Sequence, residues 1–245
     1  MSINIGTAGW SIPRQVADMF PATGSALERY AARFPVGEIN SSFHRPHRRS
    51  TWERWRDSVP AAFRFSVKVP KLITHQQKLV DCAEALDAFI EQANGLEEKL
   101  AILLVQLPPK LAFDEAVAGD FLADLVARTP ARIVCEPRHP SWFEPAIDAF
   151  LSDLKIARVA ADPAICEAAA VPGGWRKLSY TRLHGSPVMY RSSYEDRIDG
   201  YAARLERECA EGRDVWCIFD NTASSAAASD ALALLEAFRL SCAPF

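Results

Sequence analysis

The sequence predicts an α/β fold, a single (β/α)8 barrel of the TIM type, and three observations support this prediction. Eight short segments with strand character alternate with helical segments along the whole 245-residue chain. No linker, internal repeat or low-complexity tract divides it, so residues 1–245 are expected to form one domain. A doubly wound open sheet is the alternative, but the first strand–helix turn lacks the GxGxxG loop that holds phosphate in such folds.

Each predicted strand is a short run rich in apolar residues. The helical segments between the strands carry apolar residues at three- and four-residue spacing, which predicts helices with one buried face. The connection between the sixth and seventh strands is irregular, and the Pro-Gly-Gly-Trp sequence at 172–175 indicates a turn there. The predicted strands are 3–8, 37–43, 63–69, 101–107, 132–138, 156–162, 181–186 and 214–221. The predicted helices are 27–34, 51–58, 81–100, 113–129, 144–154, 193–212 and 224–240.

The composition is that of a globular protein without a strong charge bias. The net charge is -3, so no global basic field would recruit nucleic acid or an anionic membrane. The first residues lack a basic leader followed by a long apolar run, and no apolar run reaches the roughly 18 residues of a spanning helix. A cytoplasmic location is therefore expected. The six cysteines form no CxxC pair and are expected to be free thiols: Cys82, Cys135, Cys166, Cys209, Cys217 and Cys242.

Polar side chains recur at every second position of several predicted strands, and residues two apart face the same side of a strand. The opposite parity is apolar, as in Val159 and Leu183, and is expected to pack against the helices. The polar face is then the inside of the barrel, where the βα loops form a mouth at the strand ends. The residues expected inside are Glu38, Asn40, Ser42, Arg64, Ser66, Lys68, Gln106, Glu136, Arg138, Arg158, Asp162, Arg182 and His184.

Several long motifs in this order resemble the YecE-like family, a domain of unknown function with the number 72. They are GTAGW at 6–10, EINSSFHRPHRRSTWERW at 38–55, FRFSVKVPKLITH at 63–75, QLPP at 106–109, EPRHPSW at 136–142, RLHGS at 182–186 and FDNT at 219–222. The resemblance implies a TIM-barrel-like fold and no assigned activity. Two positions depart from the family pattern: Pro137 stands where phenylalanine is usual, and Asp220 stands where the first of two asparagines is usual.

The polar strand ends suggest acid/base chemistry on an anionic substrate. Close carboxylates shift each other's pKa, and arginine forks match the oxygens of phosphate or carboxylate. Glu136 and His184 would move protons, while Arg138, Arg182 and Lys68 would hold the anion. The candidate catalytic residues are Glu136, His184, Lys68, Glu38 and Asp162. The candidate substrate-binding residues are Arg138, Arg182, Asn40, Gln106, Asn221, His75, Tyr194 and Trp142. The reaction class stays open between hydrolysis and proton-transfer isomerisation.

A phosphate could lie at HGS (184–186) and DNT (220–222), where the following helix would point its amides at the ends of the last two strands. The histidine spacing matches no metal motif, so no metal is predicted, and no cofactor is indicated.

Two other interpretations remain. The protein could bind an anionic metabolite or a nucleic-acid end without catalysis, or the polar interior could satisfy itself with no ligand. No membrane partner is expected, and the oligomeric state is open.

Overall fold

The computed structural model describes residues 2–241 and shows a mixed α/β fold whose strands lie close to the predicted positions. Its strands are β1 Ile3–Thr7, β2 Val36–Ile39, β3 Arg64–Lys68, β4 Leu100–Gln106, β5 Arg132–Glu136, β6 Ala157–Arg158, β7 Ala160–Asp162, β8 Gly173–Gly174, β9 Leu178–Leu183 and β10 Asp214–Phe219. Its helices are α1 Ala26–Ala31, α2 Ser41–His44, α3 Arg49–Asp57, α4 Ala83–Ala93, α5 Glu115–Arg128, α6 Pro145–Asp153, α7 Ile198–Ala210 and α8 Ala226–Ser241.

Three differences from the predicted elements bear on the function. The second strand ends at Ile39 because Asn40 takes helical backbone angles (φ −91°, ψ −17°) and begins α2. The sixth strand is divided at Val159 into two short strands. The seventh strand begins at Leu178, three residues earlier than predicted, and so places Tyr180 on the sheet. As predicted, the connection 163–177 forms no α-helix; it holds a 3-10 turn and β8.

The strands form two mainly parallel sheets. One has the order β1-β10-β9-β7, and the other has the order β2-β3-β4-β5-β6-β8 with β8 antiparallel to β6. The sheets are linked at both edges. At one edge the chain passes from β6 into β7, and the Val159 amide donates to the Cys135 carbonyl at 2.8 Å. At the other edge Ala8 forms a parallel bridge to Glu38, and the Gly9 amide donates to the Glu38 carbonyl at 2.8 Å.

Apolar residues form two separate cores. The larger core lies between the sheets and the helices and includes the alternating residues Phe65, Val67, Leu103 and Val105. The smaller core draws on both sheets and consists of Val36, Ile102, Leu104, Val134, Ala157, Val159, Leu178, Tyr180, Trp216 and Ile218. The inner face shared by the two sheets is therefore apolar over much of its length, and polar side chains gather at the carboxyl ends of the strands.

Two charged residues of the predicted sixth strand lie on the face opposite to the one that the sequence predicts. Because Ala157 and Val159 belong to the inner core, Arg158 points outward, where it binds both carboxylate oxygens of Asp148 on α6 at 2.7 and 3.0 Å. Asp162 also points outward and receives a hydrogen bond from Arg197 at 3.0 Å. The prediction that Arg158 and Asp162 lie inside, with Val159 outside, is wrong. In the absence of a helix over 163–177, charged side chains cover these strands instead.

Five of the cysteines are free thiols: Cys82, Cys135, Cys166, Cys209 and Cys217. The sixth, Cys242, lies outside the described residues. Within residues 2–241, no helix combines the length and apolar character that crossing a bilayer requires.

We expect Arg158→Met to lower the free energy of unfolding by about 2 kcal/mol, because the hydrogen bonds to Asp148 and to the Ala168 carbonyl (2.8 Å) are lost from a side chain only 2% exposed. Urea unfolding at neutral pH measures the change. The control is Arg128→Met, which removes an arginine that pairs with Asp87 and Asp124 on the helix surface and should cost clearly less. Equal losses in the two variants would contradict a structural role for Arg158.

Candidate functional site

The centre of the polar cluster is the guanidinium of Arg182, which is fully buried among three carboxylates. Glu38 accepts from Nε at 3.1 Å and from Nη2 at 2.6 Å. Glu136 accepts from Nη1 at 2.7 Å, and Asp220 accepts from Nη2 at 2.9 Å. Every nitrogen of Arg182 thus has a carboxylate partner, so this arginine is not free to bind an external anion as the sequence-based hypothesis expected.

Alternation along the strands brings these groups together. Arg182 and His184 are two residues apart at the end of β9, on the face that continues from Tyr180. Glu136 ends β5, Glu38 lies in β2, and Asp220 follows β10. Because the strands are parallel, their carboxyl ends meet at one edge. Glu38 is held further by the Tyr180 hydroxyl, which donates to its Oε2 at 2.8 Å.

His184 lies between two carboxylates and an arginine, with no exposed surface. Its Nδ1 is 3.0 Å from Asp220 Oδ2, and its Nε2 is 3.0 Å from Glu136 Oε1. The same Nε2 is 2.7 Å from Nη2 of Arg138, which can only donate. A neutral ring donates from Nδ1 to Asp220 and accepts from Arg138, whereas a protonated ring donates to both carboxylates. Either protonation state of His184 therefore has partners in place.

The charges in the cluster keep the carboxylates ionised. Burial alone would raise the pKa of Glu136, but Arg138, Arg182 and His184 together outweigh burial and hold that pKa well below its usual value. The pKa of Asp220 is lowered in the same way, since the charge of Arg182 and the contact with His184 overcome the effect of burial. Glu136 and Asp220 thus act as fixed negative charges beside Arg182 and His184.

Two cations of the cluster, Arg138 and Lys68, retain unpaired nitrogen atoms. The side chain of Arg138 is 11% exposed and uses only Nη2 in its contacts with Glu136 and His184. Lys68 is 8% exposed, and its carbonyl accepts from the Ser42 hydroxyl at 2.7 Å, but its side-chain amine makes no hydrogen bond or ion pair within the described part of the chain. Its Nζ lies 4.1 Å from the centre of the Phe43 ring. Burial, together with the charge of Arg182, lowers the pKa of Lys68 to about 8.

Three other predicted site residues lie next to members of this cluster. Asn40 donates from Nδ2 to Asp220 at 3.4 Å, while its buried Oδ1 has no partner among the described residues. Gln106 ends β4 in register with Glu136. His75 is half-buried and contacts the edge of the Phe43 ring at 5.0 Å, and burial with the nearby Lys68 lowers its pKa. Each of these three residues thus contacts or lies in register with a residue of the site.

Four predicted site residues instead hold the surrounding structure together. Asp162 points outward, as described above. Tyr194 is buried and donates to the Asp162 carbonyl at 2.9 Å. Trp142 is 1% exposed and donates from its indole nitrogen to the Leu111 carbonyl at 3.0 Å. Asn221 donates to Asp230 at 2.6 Å and to the Ser192 carbonyl at 3.0 Å. The structure supports packing and loop-anchoring roles for these residues.

The loops after β9 and β10 close onto each other. The Ala223 amide donates to the Tyr190 carbonyl at 3.0 Å, and the Tyr190 ring contacts the edge of the His184 ring at 5.8 Å. The phosphate position expected at these strand ends stays a prediction. Among residues 2–241, no trio of His, Cys, Asp or Glu side chains is arranged as metal ligands.

Three residues of the observed site are not among the site residues that the sequence predicts. Asp220 continues the inner parity of Trp216 and Ile218, so the same alternation would have found it. Tyr180 was missed because the seventh strand was begun too late. Phe43 lies on a helical turn that was predicted as strand, so its contact with Lys68 had no signal in the sequence.

The fold and this cluster define a class: an α/β protein with a buried charged centre at the carboxyl ends of parallel strands. Residues 4–244 match the family described as protein of unknown function DUF72, and the chain belongs to that family. The resemblance inferred from the motifs is thereby confirmed.

Two relatives and one solved structure illustrate the relationship. The UPF0759 protein YunF of Bacillus subtilis (strain 168) is 26% identical over 270 residues, covering 96% of this chain and 94% of YunF. The UPF0759 protein YecE of Escherichia coli (strain K12) is 30% identical over 142 residues, which are 58% of this chain. The chain thus spans 50% of the length of YecE. A crystal structure of a DUF72 family protein from Enterococcus faecalis V583 has a TM-score of 0.81 at 21% identity, covering 97% of this chain and 96% of that one, which shows a shared fold.

Replacing Arg182 with methionine should destabilise the protein by about 3–5 kcal/mol, because three buried carboxylates lose their common partner. Denaturant unfolding at pH 7 measures the loss. Arg138→Met is the matched control: it removes a cation from the same cluster, but its partner Glu136 keeps Arg182, so the loss should be smaller. A smaller loss in Arg182→Met than in Arg138→Met would show that Arg182 does not organise the cluster.

The stability of the protein should fall steeply in acid. Glu136 and Asp220 have folded-state pKa values below their unfolded values of about 4, so their ionised forms stabilise the fold above that pH. This contribution is lost as the pH falls through the folded-state pKa values. Urea unfolding between pH 7 and pH 2.5 should therefore show a shallower acid slope for Glu136→Gln than for the wild type. Parallel slopes in the two proteins would rule out Glu136 as a source of the acid sensitivity.

Proposed function

We propose that this protein is an enzyme that transfers protons on a small anionic molecule at the mouth of a (β/α)8 barrel. The observation that carries the proposal is His184, which has hydrogen-bond partners for both of its protonation states at the carboxyl ends of the strands. A ring that exchanges the donor Arg138 for the acceptor Glu136 when Nε2 gains a proton has a partner at each nitrogen in both states, which suits general acid/base catalysis.

The way in which the two sheets meet supports the barrel in this proposal. Eight strands succeed one another when β6 and β7 are counted as one strand and β8 is left out. The Ala8–Glu38 bridge joins β1 to β2, and the chain at Val159 joins the other pair of edges. The inner core then fills the interior of the barrel, and the charged cluster lies at its carboxyl end, where enzymes of this fold carry their active sites.

The free donors of the cluster favour an anionic substrate. The carboxylates of Glu38, Glu136 and Asp220 are already shared among Arg182, Arg138 and His184. Arg138 keeps guanidinium nitrogens that no described residue binds, and arginine forks match the oxygens of phosphate or carboxylate.

Each residue has a distinct role in this proposal. Arg138 reaches toward the substrate anion with the guanidinium nitrogens that the cluster leaves free. His184 accepts and returns the proton, Asp220 and Glu136 stabilise its charged form, and Arg182 keeps both carboxylates in place. Asn40 offers its unpartnered Oδ1 to a donor on the substrate. Beside the cluster, Phe43 separates Lys68 from a cavity of about 270 Å³ lined by Trp52, Ile73 and Phe89, among others, which suits an apolar part of the molecule.

The test is the thermal stability of the wild type and Arg138→Ala with inorganic phosphate, glycerol 3-phosphate, glyoxylate and uncharged glycerol. A ligand present at about one hundred times its Kd stabilises the folded state by about 2.7 kcal/mol. We expect at least one anion, and not glycerol, to stabilise the wild type, and we expect Arg138→Ala to lose the effect. The control is Arg191→Ala, which removes an exposed arginine from a nearby loop and should keep the effect.

Turnover of a compound found in this way separates catalysis from binding. Glu136→Gln should lower kcat at least a hundredfold, because one of the two carboxylates that stabilise protonated His184 becomes neutral. Binding in the wild type without any turnover would favour the non-catalytic binding protein. An anion effect that persists in Arg138→Ala would remove the proposed anion site.

A further inference from the structure

The protein has two buried lysines in very different surroundings. Lys99 is 7% exposed and donates to the carbonyl oxygens of Arg56 at 2.6 Å and Val59 at 2.7 Å. Lys68 is 8% exposed but has no hydrogen-bond acceptor or ion-pair partner among residues 2–241. Buried ammonium groups normally have such partners, and Lys68 lacks the carbonyl acceptors that Lys99 has, although its Nζ is not among the fully buried unpaired atoms.

The absence of a partner follows from the way in which the cluster is built. The carboxylates of Glu38, Glu136 and Asp220 are already shared among Arg182, His184 and Arg138. The Lys68 amine instead lies over the face of the Phe43 ring, 4.1 Å from its centre. Among residues 2–241 the site therefore presents an amine without a hydrogen-bond or ion-pair partner, at the carboxyl end of β3 and close enough to Arg182 and the three carboxylates to feel their charges.

These surroundings favour the neutral amine, which is the nucleophilic form. Burial and the charge of Arg182 lower the pKa of Lys68 to about 8, although the charges of Glu136, Glu38 and Asp220 act in the opposite direction. Lys68 is then neutral in roughly a tenth of the molecules at pH 7. An exposed lysine with a pKa near 10.4 is neutral in less than about a thousandth of them.

We propose that the Lys68 amine attacks a carbonyl carbon and forms an imine with the substrate, which is therefore an aldehyde or ketone that carries a carboxylate or phosphate. The anion requirement rests on the function proposed above, while the imine rests on Lys68 itself. Apolar surroundings and the proximity of another cation are the conditions under which lysines act as imine-forming nucleophiles.

The step balances without any co-reactant. The nitrogen lone pair forms the C–N bond, the π electrons of the carbonyl move to oxygen, and one nitrogen proton is exchanged for a proton on that oxygen. His184, when protonated, delivers a second proton to the resulting hydroxyl, so that the C–O bond breaks and water leaves. The product is the protonated imine between Lys68 and the former carbonyl carbon, and return of its nitrogen proton to His184 gives the neutral imine. Hydrolysis of the imine by the reverse steps regenerates the amine.

The test uses glyoxylate as the anionic carbonyl compound, acetaldehyde as the neutral one, and cyanoborohydride to reduce any imine to a stable adduct. The intact folded protein is treated at pH 7, digested and sequenced by mass spectrometry. We expect Lys68 to gain the glyoxylate adduct at least ten times faster than the exposed lysines Lys71, Lys110 and Lys155. Lys99, which is equally buried but paired, should gain almost none.

Three variants make the outcome specific. Lys68→Met should lose the fast adduct, and Lys71→Arg, which changes an exposed lysine three residues along the chain, should keep it at Lys68. Circular dichroism confirms that both variants are folded. In Arg138→Ala the fast reaction of Lys68 with glyoxylate should fall toward the rate with acetaldehyde, because the cation that holds the carboxylate is gone.

The outcomes separate the two proposals. If Lys68 reacts no faster than the exposed lysines in the folded wild type, the imine proposal is overturned whatever the anion experiments show. If Lys68 reacts fast with both carbonyl compounds and Arg138→Ala changes neither rate, the nucleophile stands and the anion site fails.

Discussion

The buried guanidinium of Arg182 is the interaction on which the rest of the site depends. It comes from β9, in one sheet, and binds Glu38 and Glu136 from the other sheet as well as Asp220 from its own. Without a cation at this point, three carboxylates would repel one another in a region that excludes water. The pairing also fixes the carboxylate oxygens that face His184. The position of His184 is thus a consequence of how one arginine is buried.

A useful distinction in this protein is between charges that are fully paired and charges that are not. Arg182, Arg158 and Lys99 are all buried, and each is surrounded by acceptors, so each belongs to the framework. Arg138 is only partly engaged, and Lys68 has no partner among the described residues. A framework can tolerate such incompletely paired cations when a ligand completes them, which is the reason that the proposals above concern these two residues.

The space between the two sheets has an apolar part and, at the carboxyl ends of the strands, a charged part. An apolar core that contains Tyr180, Trp216 and Ile218 fills the space between the sheets below the cluster. This core keeps water away from the charged groups above it and so strengthens their interactions. Partners from four strands converge in the charged layer, and their pairing offsets the desolvation cost of the charges buried there.

The sequence by itself determined the order of strands and helices, the family, and the strand ends at which Glu136, Arg138, Arg182 and His184 gather. Two-residue alternation and helical spacing are local properties, so they can be inferred from the chain alone. Only the tertiary structure decided which charges are consumed by one another. Arg182 and Lys68 are both cations on inner strand positions, yet the first is surrounded by carboxylates and the second is left with the face of Phe43. Likewise, Arg158 and Asp162 have the composition of site residues but point outward, and a misassignment of one residue in parity reverses the predicted faces of a whole strand. Partners that lie far apart in the chain and close together in space determine each of these outcomes, and no local pattern encodes them.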